Sequence, residues 1–443
     1  MADIAPTVAG LNERGKCDRQ IRGVPKLSHP LSDGQGGICG FFRYRRMIFT
    51  TYWFLVFSAI VVPVYWLVPA RYGRLWFLAA ACAVFHTHFA GPAGVVPIAL
   101  LMAVTYAAGL SRKPSYLMTA VILCVLTLCF YKYALFLIGA VITPLAPGLG
   151  DVLAKQTDSL LPSAPPLGVS FFVFEFVHYL LEIRRGGEPI RSPLKFILFS
   201  IFFPSLVAGP IKRYPQFVSA LEEGSQRFSL DNFSAGLGRI GLGFFKKVVL
   251  ADNLTAMIEH YQPGFAGLEL GGRWLIFAAI ALRILLDFSG YTDIAIGFAR
   301  LLGVQLPENF NWPYLARSLQ DFWQRWHISL SSWIRDYIYI PLGGSRHGVV
   351  RRVLNGLIAF ALCGLWHGPA WNFVVWGIYH GVGLGVCATY RSIPGLGPAL
   401  SRIFEKDPIF AFALTQAFVW FGWLLFFYPV TEAWQMTRLL FGQ

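Results

Sequence analysis

Charge is scarce in this sequence. Of its 443 residues 14% are charged and 56% hydrophobic, whereas a soluble domain carries about a quarter charged residues. Apolar runs of the length that crosses a bilayer, about 20 residues, recur along the chain; 47–69, 116–138 and 272–298 are clear examples. A soluble globular fold is excluded on these grounds. Paired cysteines are missing as well. None of Cys17, Cys39, Cys82, Cys124, Cys129, Cys363 and Cys387 forms a C-x-x-C pair, and the five in apolar runs read as buried free thiols. No spacing of His, Cys, Asp or Glu suggests a metal site. No internal repeat or inverted pair of segments is found, which weakens a secondary-transporter reading.

What charge there is leans basic, at +14 net. The basic residues sit in short clusters between apolar runs, such as Arg112-Lys113, Arg184-Arg185, Lys212-Arg213, Lys246-Lys247 and Arg351-Arg352. Positive loops facing the cytoplasm explain that placement. No stretch mixes basic and aromatic residues outside a membrane-like context, so nucleic acid is not an expected partner and membrane lipid is.

Residues 1–46 are polar and aperiodic, and disorder is expected there. Met47-Ile48-Phe49-Thr50-Thr51 resembles a natural start, so the 46 residues before it read as a dispensable extension or a start-site artefact. Residues 47–443 read as a single membrane-embedded domain. The expected fold class is an all-α polytopic membrane protein with about eleven transmembrane helices. Spans are expected near 47–69, 74–90, 94–110, 116–144, 167–182, 194–208, 233–251, 272–301, 352–366, 371–390 and 408–428. The polar stretch 145–166 reads as an extramembrane loop. The stretch 305–347 is too polar to cross lipid alone and very aromatic. It is expected to form interfacial or re-entrant helices that line a cavity, because irregular backbone at membrane depth needs protein or water to cover it.

Three motifs carry candidate chemistry. In Leu365-Trp366-His367-Gly368-Pro369 a histidine ends an apolar run; an ionisable group at membrane depth is costly and usually functional, and imidazole can take a proton from a hydroxyl and return it. In Arg325-Trp326-His327-Ile328-Ser329-Leu330-Ser331 a second histidine has Ser331 four residues on, one helical turn away, with Arg335 and Asp336 two turns on. It reads as a second acid/base or an orienting group, against the plainer alternative of an interfacial helix anchored by Trp323, Trp326 and Trp333. Asp287 and Asp293 lie within an apolar run and need partners; pairing with an arginine of 305–347, as structural support for a cavity, is expected. His178 with Glu175 suggests a local polar pair. His380 follows His367 by thirteen residues and, on one regular helix, would point to a separate face.

Taken together, 287–297, 309–313, 321–344 and 364–381 resemble the membrane-bound O-acyltransferase family. They are similar in particular to its bacterial branch of alginate O-acetylation and D-alanyl-lipoteichoic-acid transfer proteins. Pro166–Phe172 and Pro204–Pro210 fit the same branch. The resemblance covers roughly 47–390 and holds several motifs in order. It implies tilted helices around a central funnel or tunnel, and acyl transfer from a thioester to a hydroxyl. It also implies activity associated with His327 and His367. Their neighbours Trp326, Ser329, Ser331, Arg335, Asp336, Trp366, Asp287 and Asp293 are then expected around the substrate tunnel. His367 is expected as the base, with His327 assisting proton transfer or polarising the thioester carbonyl, and Trp or Arg side chains of 321–336 are expected as donors to that carbonyl. No bound cofactor is expected; the co-substrate would be acetyl-CoA or an acyl carrier protein. Tyr339–Gly344 resembles the polysaccharide O-acetylation proteins, and Gly209–Tyr214 lies nearer the D-alanyl proteins. The expected function is acetyl transfer to an exported cell-surface polysaccharide, at the bacterial inner membrane, with an extracytoplasmic delivery protein or glycan machinery as partner. D-alanyl transfer to an envelope polymer is the alternative. The non-enzymatic rivals are a transporter or flippase, which would tolerate loss of His367, and an assembly subunit, which would tolerate loss of both histidines.

Overall fold

The computed structural model describes residues 48–162, 165–207, 209–390 and 393–443; the expected disorder of 1–46 lies outside them. Among the described residues every regular element is helical. In chain order they are α1 (Tyr52–Leu67), α2 (Arg71–Ser111), α3 (Pro114–Leu145), α4 (Pro147–Leu160), α5 (Val169–Arg184) and α6 (Pro193–Ile201). Next come α7 (Tyr214–Gly224), α8 (Leu230–Phe244), α9 (Asp252–Tyr261), α10 (Leu270–Leu301), α11 (Leu319–Arg325) and α12 (Ile328–Ile334). The chain closes with α13 (Gly348–His367), α14 (Trp371–Thr389), α15 (Leu396–Lys406), α16 (Pro408–Phe427) and α17 (Val430–Leu440).

Five of these, α2, α3, α10, α13 and α16, are long and apolar enough to cross a membrane, and the chain is a multi-pass membrane protein. Their outer faces carry bare aliphatics such as Leu100, Leu126, Leu275 and Leu354, as lipid contact requires. The other apolar runs fold into shorter pieces. Helices α1 and α5 have 16 residues each, about 24 Å at the α-helical rise against a hydrocarbon core of about 30 Å. The runs 74–90 and 94–110 share helix α2, which breaks at Gly91 (φ 64, ψ 173) just before Pro92; a φ of that sign favours glycine. The stretch 145–166 is not the loop its composition suggests, because most of it is α4. Pro147 occupies the first turn, where a missing N–H costs nothing.

Two helix pairs of the membrane domain approach closely through glycine. A Cβ on Gly364 of α13 would lie 2.1 Å from the Phe373 carbonyl oxygen, and one on Gly377 of α14 would lie 2.1 Å from that of Phe360. Between α8 and α10, a Cβ on Gly243 would lie 2.7 Å from the Gly290 oxygen and one on Gly297 would lie 2.8 Å from that of Gly236. Small residues let backbones approach where lipid supplies no hydrophobic drive.

The α8/α10 contact also holds the buried Asp293 and the half-buried Asp287. Asp293 meets Arg239 at 2.6 Å and Lys246 at 2.7 Å, and Asp287 meets Lys247 at 2.6 Å. The expectation of an arginine from 305–347 is therefore corrected: the cations come from α8 and the π turn Phe245–Ala251 that continues it. The reason is proximity, since the glycine contacts already bring those helices together. Arg239 also pairs with Glu308 at the start of the polar stretch.

Within 305–347 the regular elements are short. Helices α11 and α12 have 7 residues each, followed by the π turn Arg335–Tyr339. Neither can cross a bilayer, yet Asn309, Trp326, His327 and Trp333 are buried, so protein covers them.

Candidate active site

His327 stands at the N-cap of α12 with a left-handed backbone, φ 44 and ψ 53. That conformation costs a non-glycine residue about 1–3 kcal/mol and persists only where the surroundings over-determine it. Here the Ile328 N–H donates to the Asn309 carbonyl at 2.9 Å, and the Ser331 N–H to the His327 carbonyl at 2.9 Å. The spacing places Ser331 one helical turn from His327. Helical spacing does not apply across a left-handed residue, and the Ser331 hydroxyl donates instead to the Trp326 carbonyl at 3.1 Å.

The side-chain partner of His327 is Asn309, whose Oδ1 lies 3.1 Å from the imidazole Nδ1. The same oxygen accepts from the Ser329 N–H at 3.2 Å and the Ser329 hydroxyl at 2.9 Å. A backbone N–H can only donate, so the atom facing it is the amide oxygen rather than the nitrogen. It follows that His327 Nδ1 carries a proton and donates it, so that in the neutral imidazole Nε2 presents a lone pair. His327 Nε2 and Asn309 Nδ2 are both buried without a partner. Ser329 Oγ in turn accepts from the Ile211 N–H at 3.1 Å, which ties the site to the loop before α7.

His367 is the last residue of α13, where Gly368 and Pro369 end the helix. Its ring lies edge to face with Trp376 (centroids 5.2 Å apart) and Phe426 (5.0 Å). Trp366 links the two histidines: its ring centroid is 6.1 Å from that of His327 and 4.8 Å from that of His367. Phe288 of α10 closes the far side of His327 at 4.7 Å. Residues distant in sequence thus converge on one aromatic cluster that holds two imidazoles. The indole N–H groups of Trp323, Trp366 and Trp376 are buried there without partners. Arginine donors expected from 321–336 are engaged elsewhere: Arg325 holds Asp321 at 2.6 Å and Arg335 holds Asp336 at 2.8 Å. Trp333 donates to the Phe174 carbonyl at 3.0 Å.

His380 was expected to point away from His367, but the intervening chain is two helices joined by a turn. Both rings pack on Trp376, His380 at 5.0 Å, and both nitrogens of His380 are buried and unpartnered. His178 is likewise paired differently from the expected Glu175. It accepts from the Tyr214 N–H at 3.0 Å through Nε2 and meets the Tyr337 hydroxyl at 2.6 Å through Nδ1. Glu175 instead forms a fully buried ion pair with Lys212 at 2.7 Å.

Asp336 and Tyr337 line a separate polar cavity of about 340 Å³ with His178, Glu182, Arg185 and Arg213. Burial works against the Asp336 charge, but hydrogen bonds from Arg335 and Arg213 outweigh it and hold the carboxyl below the usual carboxylate range. Asp336 therefore stands at this cavity, and Arg335 is held by Asp336. Asn309, Phe288 and Trp376 are the site residues that sequence reasoning missed. Of these, Asn309 had a visible signal, an amide in an otherwise apolar, aromatic neighbourhood.

The fold and this cluster define a class: a helical, multi-pass membrane protein holding two histidines among packed aromatic rings. The model of the membrane-bound O-acyltransferase family matches residues 186–428. The chain is 34% identical over 411 residues to a probable alginate O-acetylase of Azotobacter vinelandii, covering 89% of this chain and 78% of that protein. It is 31% identical over 288 residues to a peptidoglycan O-acetyltransferase of Helicobacter pylori, covering 59% and 54% respectively. It is 29% identical over 311 residues to a teichoic acid D-alanyltransferase of Bacillus subtilis, covering 65% and 76%. The chain belongs to the membrane-bound O-acyltransferase family and is an acyltransferase.

Proposed function

We propose that this acyltransferase moves an acetyl group from a thioester donor to a hydroxyl, in the O-acetylation of an exported polysaccharide, from the bacterial inner membrane. The reading is supported by the extent of the similarity to alginate O-acetylases, 34% identity over most of the chain. The single observation that carries its chemistry is the pair of imidazoles on either side of Trp366. His367 is the general base. It takes the proton of the acceptor hydroxyl as the oxygen attacks the thioester carbonyl. The tetrahedral intermediate then expels the thiolate, which recovers the proton from the imidazolium. A thioester is already activated, so proton transfer, worth about 10²–10⁴-fold, and orientation carry most of the catalysis. His327 belongs to the proton-transfer side of the step. With Nδ1–H engaged by Asn309, its free nitrogen offers a lone pair and cannot donate to a carbonyl. The oxyanion is met instead by unpartnered donors such as the Trp366 and Trp376 indoles and the Asn309 amide.

In this reading 47–443 form one domain that crosses the membrane about eleven times around a tunnel. Acetyl-CoA or an acyl carrier protein supplies the donor, and a separate extracytoplasmic protein completes delivery. D-alanyl transfer is the second reading, favoured by the match to the Bacillus teichoic acid D-alanyltransferase. The test is the ester content of cell-surface polysaccharide in cells expressing wild type, His367→Ala and His327→Ala at matched membrane levels. Loss of acetyl ester in His367→Ala supports the reading. Wild-type ester in both variants sinks it, and loss of D-alanyl ester in place of acetyl selects the second.

A further inference from the structure

The π turn Cys129–Tyr133 in the middle of α3 brings two side chains to the end of α13. The Tyr133 hydroxyl donates to the Leu365 carbonyl at 3.0 Å, and the Lys132 ammonium donates to the Trp366 carbonyl. Lys132 also reaches the Ser170 hydroxyl in the first turn of α5, at 3.5 Å, and sits 5.5 Å from the centroid of the Trp366 ring. The last carbonyls of a helix have no partner within it, and their end carries partial negative charge that favours a cation. Pro369 prevents α13 from continuing. The last turn, which ends in His367, is therefore capped from outside by α3. Among the described residues no hydrogen bond aims the His367 imidazole itself. Among the described residues no carboxylate lies within ion-pair distance of Lys132. An ammonium left without a counter-ion on a membrane-crossing helix is costly, so a plain apolar residue would serve stability at least as well.

We propose that Lys132 is a positioning residue for acyl transfer, clamping the Leu365–Trp366 turn so that His367 is held at the height and angle its proton transfer needs. The clamp acts on two things at once. The carbonyl bond fixes the backbone one residue before His367, and the ammonium over the indole fixes the Trp366 ring that separates the two histidines. Tyr133 is the weaker half of the same clamp. This inference rests on the assignment of His367 above.

The test measures acetyl transfer from acetyl-CoA to exported polysaccharide in membranes carrying wild type, Lys132→Met, Lys132→Arg, Tyr133→Phe and His367→Ala at matched levels. Thermal unfolding of each protein in detergent is followed in parallel. A displacement of about 1 Å in a catalytic group costs on the order of 100-fold. Lys132→Met is therefore expected to lower kcat roughly 10- to 100-fold with KM for acetyl-CoA within about twofold. Lys132→Arg, which keeps a cationic donor, is expected to recover most of the loss, and Tyr133→Phe to lose only a few-fold. Wild-type kcat in Lys132→Met beside an inactive His367→Ala overturns the clamp and leaves the base assignment standing. A change confined to KM, or to unfolding temperature, overturns it as well. Should Lys132→Met fail to fold, the pair Lys132→Arg and Tyr133→Phe decides: unchanged kcat in Tyr133→Phe with a lowered unfolding temperature makes the contact merely structural. Full activity in His367→Ala would instead refute the base assignment on which the clamp depends.

Discussion

Asn309 and His327 share a 3.1 Å hydrogen bond that settles which imidazole nitrogen holds the proton. The Ser329 N–H on the same oxygen forces the amide orientation, and with it the donor at the imidazole. One asparagine thus sets the tautomer of His327 and also secures its left-handed turn.

From this follows the behaviour of Asn309→Ala. The substitution leaves Ser329 N–H and His327 Nδ1 without their acceptor, at about 1–3 kcal/mol for a buried group, and frees the ring to change tautomer. Acetyl transfer should fall about as far as in His327→Ala. The double variant should be no worse than either single one, since residues acting as a unit are not additive. Additive losses in membrane assays at matched protein levels would separate the two residues.

Asp293 is buried and answers to two cations, Arg239 and Lys246. Its replacement by asparagine leaves Lys246 without a carboxylate and Arg239 with Glu308 alone. Removing one partner of a buried pair costs about 3–5 kcal/mol; the cations here are partly exposed, so about 2–3 kcal/mol is expected. The loss should show as reduced folded protein in detergent, with activity per folded molecule unchanged. A selective loss of activity at normal folded yield would place Asp293 in the chemistry instead.

Both histidines were legible in the sequence because each sits in a polar-aromatic motif flanked by membrane-length runs, where an imidazole has few plain uses. The helical class was legible for the same reason, from scarce charge. What surrounds the histidines was not. The His327–Ser331 spacing assumed continuous helix, and a single left-handed residue cancels that arithmetic. Asp287 and Asp293 announced that cations must come to them, but only the glycine contacts say from which helix. His380 needed the turn at Gly368–Ala370 to be known before its ring could be placed. Sequence gives the need for a partner more readily than the partner.

Gly377 faces the Phe360 carbonyl with no room for a methyl group. Neither neighbour is a flexible side chain, so Gly377→Ala must push α13 from α14 or bend one of them. Overpacking of this kind costs about 1–3 kcal/mol. Because α13 presents His367, activity should fall further than stability accounts for. The measurement is unfolding temperature and acetyl transfer on the same preparation. Losses that track each other one for one would show that the helix contact does not set the site.

The polar cavity supplies a prediction in pH. Asp336 keeps its carboxyl below the usual range through Arg335 at 2.8 Å and Arg213 at 2.7 Å. A depressed pKa means that the folded state favours the charged form. The stabilisation is therefore complete above the unfolded value of about 3.9 and is lost as pH falls through the folded value. Asp336→Asn should cost about 1 kcal/mol near neutrality, given its partial exposure. The gap to wild type should close below about pH 4. Thermal unfolding in detergent micelles across that range reads it directly. A gap that persists undiminished in acid would mean the side chain acts through its shape or neutral hydrogen bonds, not its charge.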